Sequence, residues 1–292
     1  MRNGGQFSAP RVIFAGDLSG SGWIDLPRAG GFIMLQGAVA GAPIRVLVDS
    51  GAQSSAIDAG FASRLGLAAG LPLPVLAYGV GGGPSVTHTV GLDLDLGALR
   101  IERIRAAVLS LAAISAFTNQ PFDMLLGRDV LRSVILEVDY PRRRAAFVRH
   151  EAYAPPKNSV LAPVTRKSGG LHLEVSVESG APISALVDTG ASGALALSDQ
   201  AAAAAGLLDQ ARKLTSVRSI GIGGASVDRM VTAHQVRFAG FTLRDVKVSI
   251  FAAQAGSPLP DGLIGAGLLK GFRVGLDHRA GALHLSEAGT AG

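Results

Sequence analysis

The sequence predicts an all-β class chain, mainly β with short helices, built as two homologous lobes about a pseudo-twofold axis. Three observations carry this. Short runs of β-formers end in turn residues, as where Val46-Leu47-Val48 gives way to Asp49-Ser50-Gly51-Ala52. That stretch recurs as Ala185-Leu186-Val187-Asp188-Thr189-Gly190-Ala191, and its approach, Gly41-Ala42-Pro43-Ile44, recurs as Gly180-Ala181-Pro182-Ile183, both 139 residues on. Later landmarks keep their order: Gly221 follows Gly79 by 142, Gly265 follows Gly127 by 138, and Asp277 follows Asp139 by 138. Repetition at long period marks duplicated structural units whose loops have drifted by a few residues.

The elements follow in order. Residues 1–30 read as an N-terminal arm, with a strand at Arg11-Val12-Ile13-Phe14. An N-terminal lobe spans 31–150. In it, Phe32-Ile33-Met34-Leu35 and the Asp49 strand form a hairpin turning at Gly41-Ala42-Pro43. Residues 56–67 fit a short helix with Phe61 and Leu65 on one face. The glycine-rich tip Gly79-Val80-Gly81-Gly82 precedes an alternating strand through Val90, Leu92, Leu94 and Leu96, and 101–111 make another strand. Leu125-Leu126-Gly127 leads into a short helix over 128–133, and a strand pair over 134–147 turns at Tyr140-Pro141-Arg142. Residues 151–165 form a linker, with two prolines in its first ten residues. The programme then restarts in a C-terminal lobe over 166–287, with a helix at 198–207, a tip at Gly221-Ile222-Gly223-Gly224, strands near 230–251, Leu263-Ile264-Gly265 and a last strand pair from 272 to 285. Residues 288–292 form a tail.

Bulk properties narrow the function. The 292 residues suffice for two domains of roughly 100–150 residues. Absence of Cys removes disulfides and thiolate metal sites. A net charge of +5, aromatics at 5% and no basic run beyond Arg142-Arg143-Arg144 argue against a nucleic-acid surface. No stretch reads as a membrane span: the longest uncharged run, 65–88, is broken by Pro72, Pro74, Pro84 and several glycines. Residues 1–20 lack a leader pattern, so the residues leave a cytoplasmic protein or one whose leader has been removed.

Each lobe offers one acid, Asp49 or Asp188, on a loop leaving a buried strand. Two symmetry-related lobes bring such loops together on the axis. Two touching carboxylates cannot both ionise cheaply, so they share a proton, one acting as base and the other as acid. Such a pair deprotonates a water while protonating the carbonyl oxygen it attacks, and needs no metal, cofactor or covalent intermediate. Ser50 and Thr189 offer hydroxyls to brace the loops, while Gly51 and Gly190 permit close backbone approach. The glycine tips are placed to close over an extended chain by pairing with its backbone.

This set resembles the aspartic proteases, and among them the retropepsin-like branch. It carries Asp-Ser/Thr-Gly-Ala (Asp49-Ser50-Gly51-Ala52 and Asp188-Thr189-Gly190-Ala191), a Gly-x-Gly-Gly flap, and two hydrophobic residues before a glycine (Leu125-Leu126-Gly127 and Leu263-Ile264-Gly265). The resemblance covers roughly residues 31–287. It implies a bilobal aspartic endopeptidase acting on peptides or proteins through Asp49 and Asp188, a monomer holding its pseudodimer in one chain, in a periplasmic or secreted setting. One departure stands out. Retroviral relatives pair an Arg after the hydrophobic-Gly motif with an acid four residues past the catalytic Asp; here Arg128 is present but that position is Gln53, and the second lobe has Ala266 and Ser192. Two other readings stay open: a peptide- or protein-binding module using the same cleft without cleavage, and a lobe pairing with a lobe of another chain.

The remaining features have plainer readings. Asp139 and Asp277 flank turns. The six histidines show no ligand spacing. Arg142-Arg143-Arg144 tops a solvated hairpin, and Trp23 packs into a lobe junction. No Lys-Ser/Thr follows either glycine tip, which disfavours a phosphate loop.

Overall fold

The computed structural model describes residues 9–16, 18–28, 31–67, 75–79, 82–118, 120–221, 224–253 and 260–287. The fold is mainly β with few short helices, and its two halves repeat one another. Each half has its own sheet, seven-stranded in the first and eight-stranded in the second. A six-stranded sheet takes strands from both, and a two-stranded hairpin stands apart.

The same local device occurs in both halves. The Asp49 strand, Ala42–Val48, is apolar because it is covered on both faces: Val46 and Val48 are fully buried and Leu47 nearly so. Met124–Leu126 lies parallel to it and antiparallel to Ala56–Asp58. In the second half Gly262–Ile264 lies parallel to Ile183–Val187 and antiparallel to Leu195–Ser198. The inserted strand ends the acid's own strand in the same way each time: the Asp49 N–H donates to Leu126 O (3.0 Å) and the Asp188 N–H to Ile264 O (2.8 Å).

The shared sheet runs Val160–Ala162, Ala282–Glu287, Phe272–Asp277, Ile135–Asp139, Arg144–Val148, Ile24–Asp25. At its centre Glu137 pairs with Gly275, its own counterpart at the 138-residue offset, so the pseudo-twofold axis passes between them. Residues of the N-terminal arm and of the linker thus add strands here, while Arg11–Phe14 pairs with Leu99–Leu109 in the first lobe. Leu136, Val138, Val274 and Leu276 are fully buried, and one apolar core runs through both halves. Trp23 sits beneath a cation from each half, 4.3 Å from the Arg144 guanidinium carbon and 5.1 Å from that of Arg273.

Several helices differ from their expected bounds. Residues 56–67 split into strand Ala56–Asp58 and helix Ala59–Arg64, because Asp58 keeps an extended backbone and its carboxylate accepts from the Phe61 N–H as the cap. The other two shrink to Arg128–Leu131 and Asp199–Ala204, the latter capped by Ser198. Helix Ala112–Phe117 was not foreseen; it has no side-chain cap and packs against strand Thr215–Gly221 of the opposite lobe. No helix among the described residues is long and apolar enough to cross a membrane.

Candidate active site

Asp49 and Asp188 leave their strands beside one another. The loops that carry them are locked by a reciprocal set of hydrogen bonds. The Ser50 hydroxyl donates to Val187 O (2.8 Å) and the Thr189 hydroxyl to Val48 O (2.8 Å). In return the Ser50 N–H donates to Thr189 Oγ1 (2.9 Å) and the Thr189 N–H to Ser50 Oγ (3.0 Å). Both hydroxyl residues are fully buried, so each bond is made out of water's reach, where losing one partner costs about 1–3 kcal/mol.

The glycines explain how close the lobes come. An ideal Cβ on Gly51 would lie 2.5 Å from Asp188 Oδ1, and one on Gly190 would lie 2.6 Å from Asp49 Oδ2. Each lobe's glycine is the resting place of the other lobe's carboxylate. Ala52 and Ala191 follow on, and they anchor the helices after the inserted strands: the Arg128 N–H donates to Ala52 O (2.9 Å) and the Ala266 N–H to Ala191 O (2.8 Å).

The two carboxyls are not electrostatically equal. Asp49 Oδ1 accepts from two N–H groups, Gly51 (2.8 Å) and Ala52 (2.9 Å), whereas Asp188 Oδ1 accepts from Gly190 (2.8 Å). Protein atoms ring both groups while part of their surface stays open. Burial raises the pKa of each. For Asp188 the charge of Asp49 and the hydrogen bond between them add to burial, and its pKa goes well above the usual carboxylate range. For Asp49 the Ala52 N–H, the hydrogen bond from Asp188 and the Gly51 N–H oppose burial. The two carboxyls therefore share one proton and titrate as a pair, with the additional N–H donor on the Asp49 side.

Arg128 lies near both carboxyls, and its charge lowers the pKa of each. It is buried, and its Nη1 donates to Ser50 O (3.2 Å) and Gly51 O (3.0 Å), its Nη2 to Ser168 O (3.4 Å) across the lobe boundary. The missing acid at Gln53 is thus replaced by main-chain carbonyls. Behind it, Asp129 accepts from the Ser55 N–H (2.9 Å) and hydroxyl (2.8 Å), and Ser55 Oγ accepts from the Gly127 N–H (3.1 Å). The second lobe has Gly267 where the first has Asp129, with room only for backbone: a Cβ there would lie 2.9 Å from Ala194 N.

The flap glycines are partly described. Gly79 pairs with Gly82 and Gly221 with Gly224 at the tips of their hairpins. Val80, Gly81, Ile222 and Gly223 lie outside the described residues. Leu125, Leu126, Leu263 and Ile264 are buried in the inserted strands, and Gly127 and Gly265 abut the loops at Ser54 and Gly193. Asp139 accepts from the Arg142 N–H and pairs with the Arg142 and Arg144 side chains, and Asp277 accepts from the N–H groups of Arg279 and Ala280, so both acids fasten turns. Among the described residues no group of three His, Cys, Asp or Glu side chains converges to hold a metal.

Sequence reasoning missed two buried residues. Tyr140 and His278 follow the paired acids Asp139 and Asp277 and are each other's counterparts. Among the described residues the Tyr140 hydroxyl has no hydrogen-bond partner. Burial, then the nearby Arg128 charge, lowers the His278 pKa to about 4. The repeat offset alone pairs these positions, and that was the signal to follow.

A family model described as aspartyl protease matches the chain twice, over residues 35–130 and 173–268. The chain belongs to the aspartyl protease family, as two fused retropepsin-like halves. No curated protein matches it.

Proposed function

We propose that the protein is an aspartic endopeptidase in which Asp49 and Asp188 activate one water. Asp49, ionised, takes the water's proton as its oxygen attacks the peptide carbonyl, and Asp188, protonated, gives its proton to the carbonyl oxygen. Collapse of the resulting gem-diol returns the roles and expels the amine. The substrate lies extended across the dyad, with the hairpins ending at Gly79–Gly82 and Gly221–Gly224 over it, their backbone groups paired with the substrate's.

The observation that carries this reading is the contact of two carboxylates from different lobes, each backed by the other lobe's glycine. Purely structural turns do not require such an approach; Asp139 and Asp277 fasten turns by accepting from the turns' own N–H groups.

A diverse peptide mixture, incubated from acidic to neutral pH and read by mass spectrometry, tests it. The parent is expected to cleave, and Asp49→Asn and Asp188→Asn each to lose at least about a thousandfold in rate, since a single Asn can no longer share and pass the proton. Cleavage that persists in either variant overturns the mechanism. Peptide binding without turnover by the parent would point instead to a binding module.

A further inference from the structure

Pseudo-symmetry fails at the position of Arg128. On one side of the dyad the buried Arg128 side chain fills the space between the Ser50 and Gly51 carbonyls and the turn at Ser168, near His278. Its counterpart, 138 residues on, is Ala266. Around Ala266 lies a cavity of about 310 Å³ lined by Arg28, Phe32, Tyr140, Arg143 and Lys270, with Ser192, four residues past Asp188, in its wall.

The lining has a definite chemical character. Arg28, Arg143 and Lys270 are exposed cations with no acidic partner among the described residues. Tyr140 is only 8% exposed, and its hydroxyl has no hydrogen-bond partner among the described residues. Phe32 and Ala266 supply apolar wall. A ligand meeting all of these is negatively charged, accepts hydrogen bonds and has a short apolar stem. A carboxylate on an aliphatic stem fits, and its planar oxygens match guanidinium donors.

We propose that this cavity is a subsite for a carboxylate group. That the source is a substrate's Asp or Glu side chain rests on the protease reading; that the cavity takes a carboxylate does not.

Two measurements on the full chain separate these. First, melting temperature is followed near neutral pH with succinate against sodium chloride at equal ionic strength. Second, the cleaved peptides are sorted for Asp or Glu over Asn or Gln at each position from the cut. Parent protein is compared with Ala266→Arg, which plugs the cavity as Arg128 plugs its counterpart, and with an Arg143→Gln, Lys270→Gln double variant in case the plug disturbs folding. The expected result is roughly tenfold or greater enrichment of acidic residues at one fixed position, absent from both variants. A melting shift with succinate in the parent alone, without enrichment, assigns the cavity to a free small carboxylate. No succinate shift and no enrichment overturns the proposal, and the melting arm decides it even if no peptide is cleaved.

Discussion

His278 illustrates how much a single buried side chain can impose. The residue is 1% exposed, with the Arg128 charge close by. The folded chain therefore holds the imidazole neutral, with its pKa lowered to about 4, whereas an unfolded chain protonates it near 6.5. Between those values the unfolded state binds more protons, so stability is lost as pH falls from about 6.5 toward 4. A lowering of this size corresponds to about 3 kcal/mol at the acid end. His278→Phe is expected to keep the ring's volume and flatten that acid limb, visible as a smaller fall in melting temperature between pH 7 and pH 4. An unchanged acid limb would show that the ring gains its proton without leaving the fold. The same residue was passed over in the sequence because a lone histidine carries no signal of burial. Only its pairing with Tyr140 through the repeat marks it.

At the scale of elements, the inserted strands govern the site. Met124–Leu126 enters between two strands, and the helix that follows begins with Gly127 pressed on the Ser54–Ser55 backbone, where an ideal Cβ would lie 2.6 Å from the Ser54 carbonyl carbon. The neighbour there is main chain and cannot rotate away. Gly127→Ala is expected to cost about 1–3 kcal/mol by overpacking, and to reduce peptide cleavage further than the stability loss accounts for, because the displaced loop carries the Ala52 contact. Equal activity per folded molecule would separate the strand's role in the fold from any role in the site. These strands were legible because apolar triplets before glycine recur. The site was legible for the same reason: Asp49, Ser50, Gly51 and their partners stand in short motifs whose spacing survives duplication. What escaped was the work of long-range packing. Asp58 turned the first three residues of an expected helix into a strand because Ala56 and Ile57 had places waiting in the sheet. Helix Ala112–Phe117 formed against the opposite lobe without any local cap.

The whole molecule is joined more deeply than a linker joins domains. The central sheet takes its strands from both halves, and Leu136, Val138, Val274 and Leu276 are buried by each other's halves as well as their own. Chains corresponding to residues 1–150 and 151–292 are accordingly expected to be unstable as separate monomers, and to regain β structure on mixing. Circular dichroism and light scattering after size exclusion would read both. Two independently folded, non-associating halves would mean the central sheet contributes little to stability.

Arg128, bonded to the loop on one side and matched by Ala266 on the other, has a consequence for reading direction. Two identical subunits around an axis meet a peptide chain the same way whether its amino or its carboxyl end enters first. A single chain with a guanidinium under one acid and an open space beside the other gives the floor beneath the peptide a polarity. A sequence and its reversed-order isomer then cease to be equivalent guests, and orientation itself becomes something the two diverged halves distinguish.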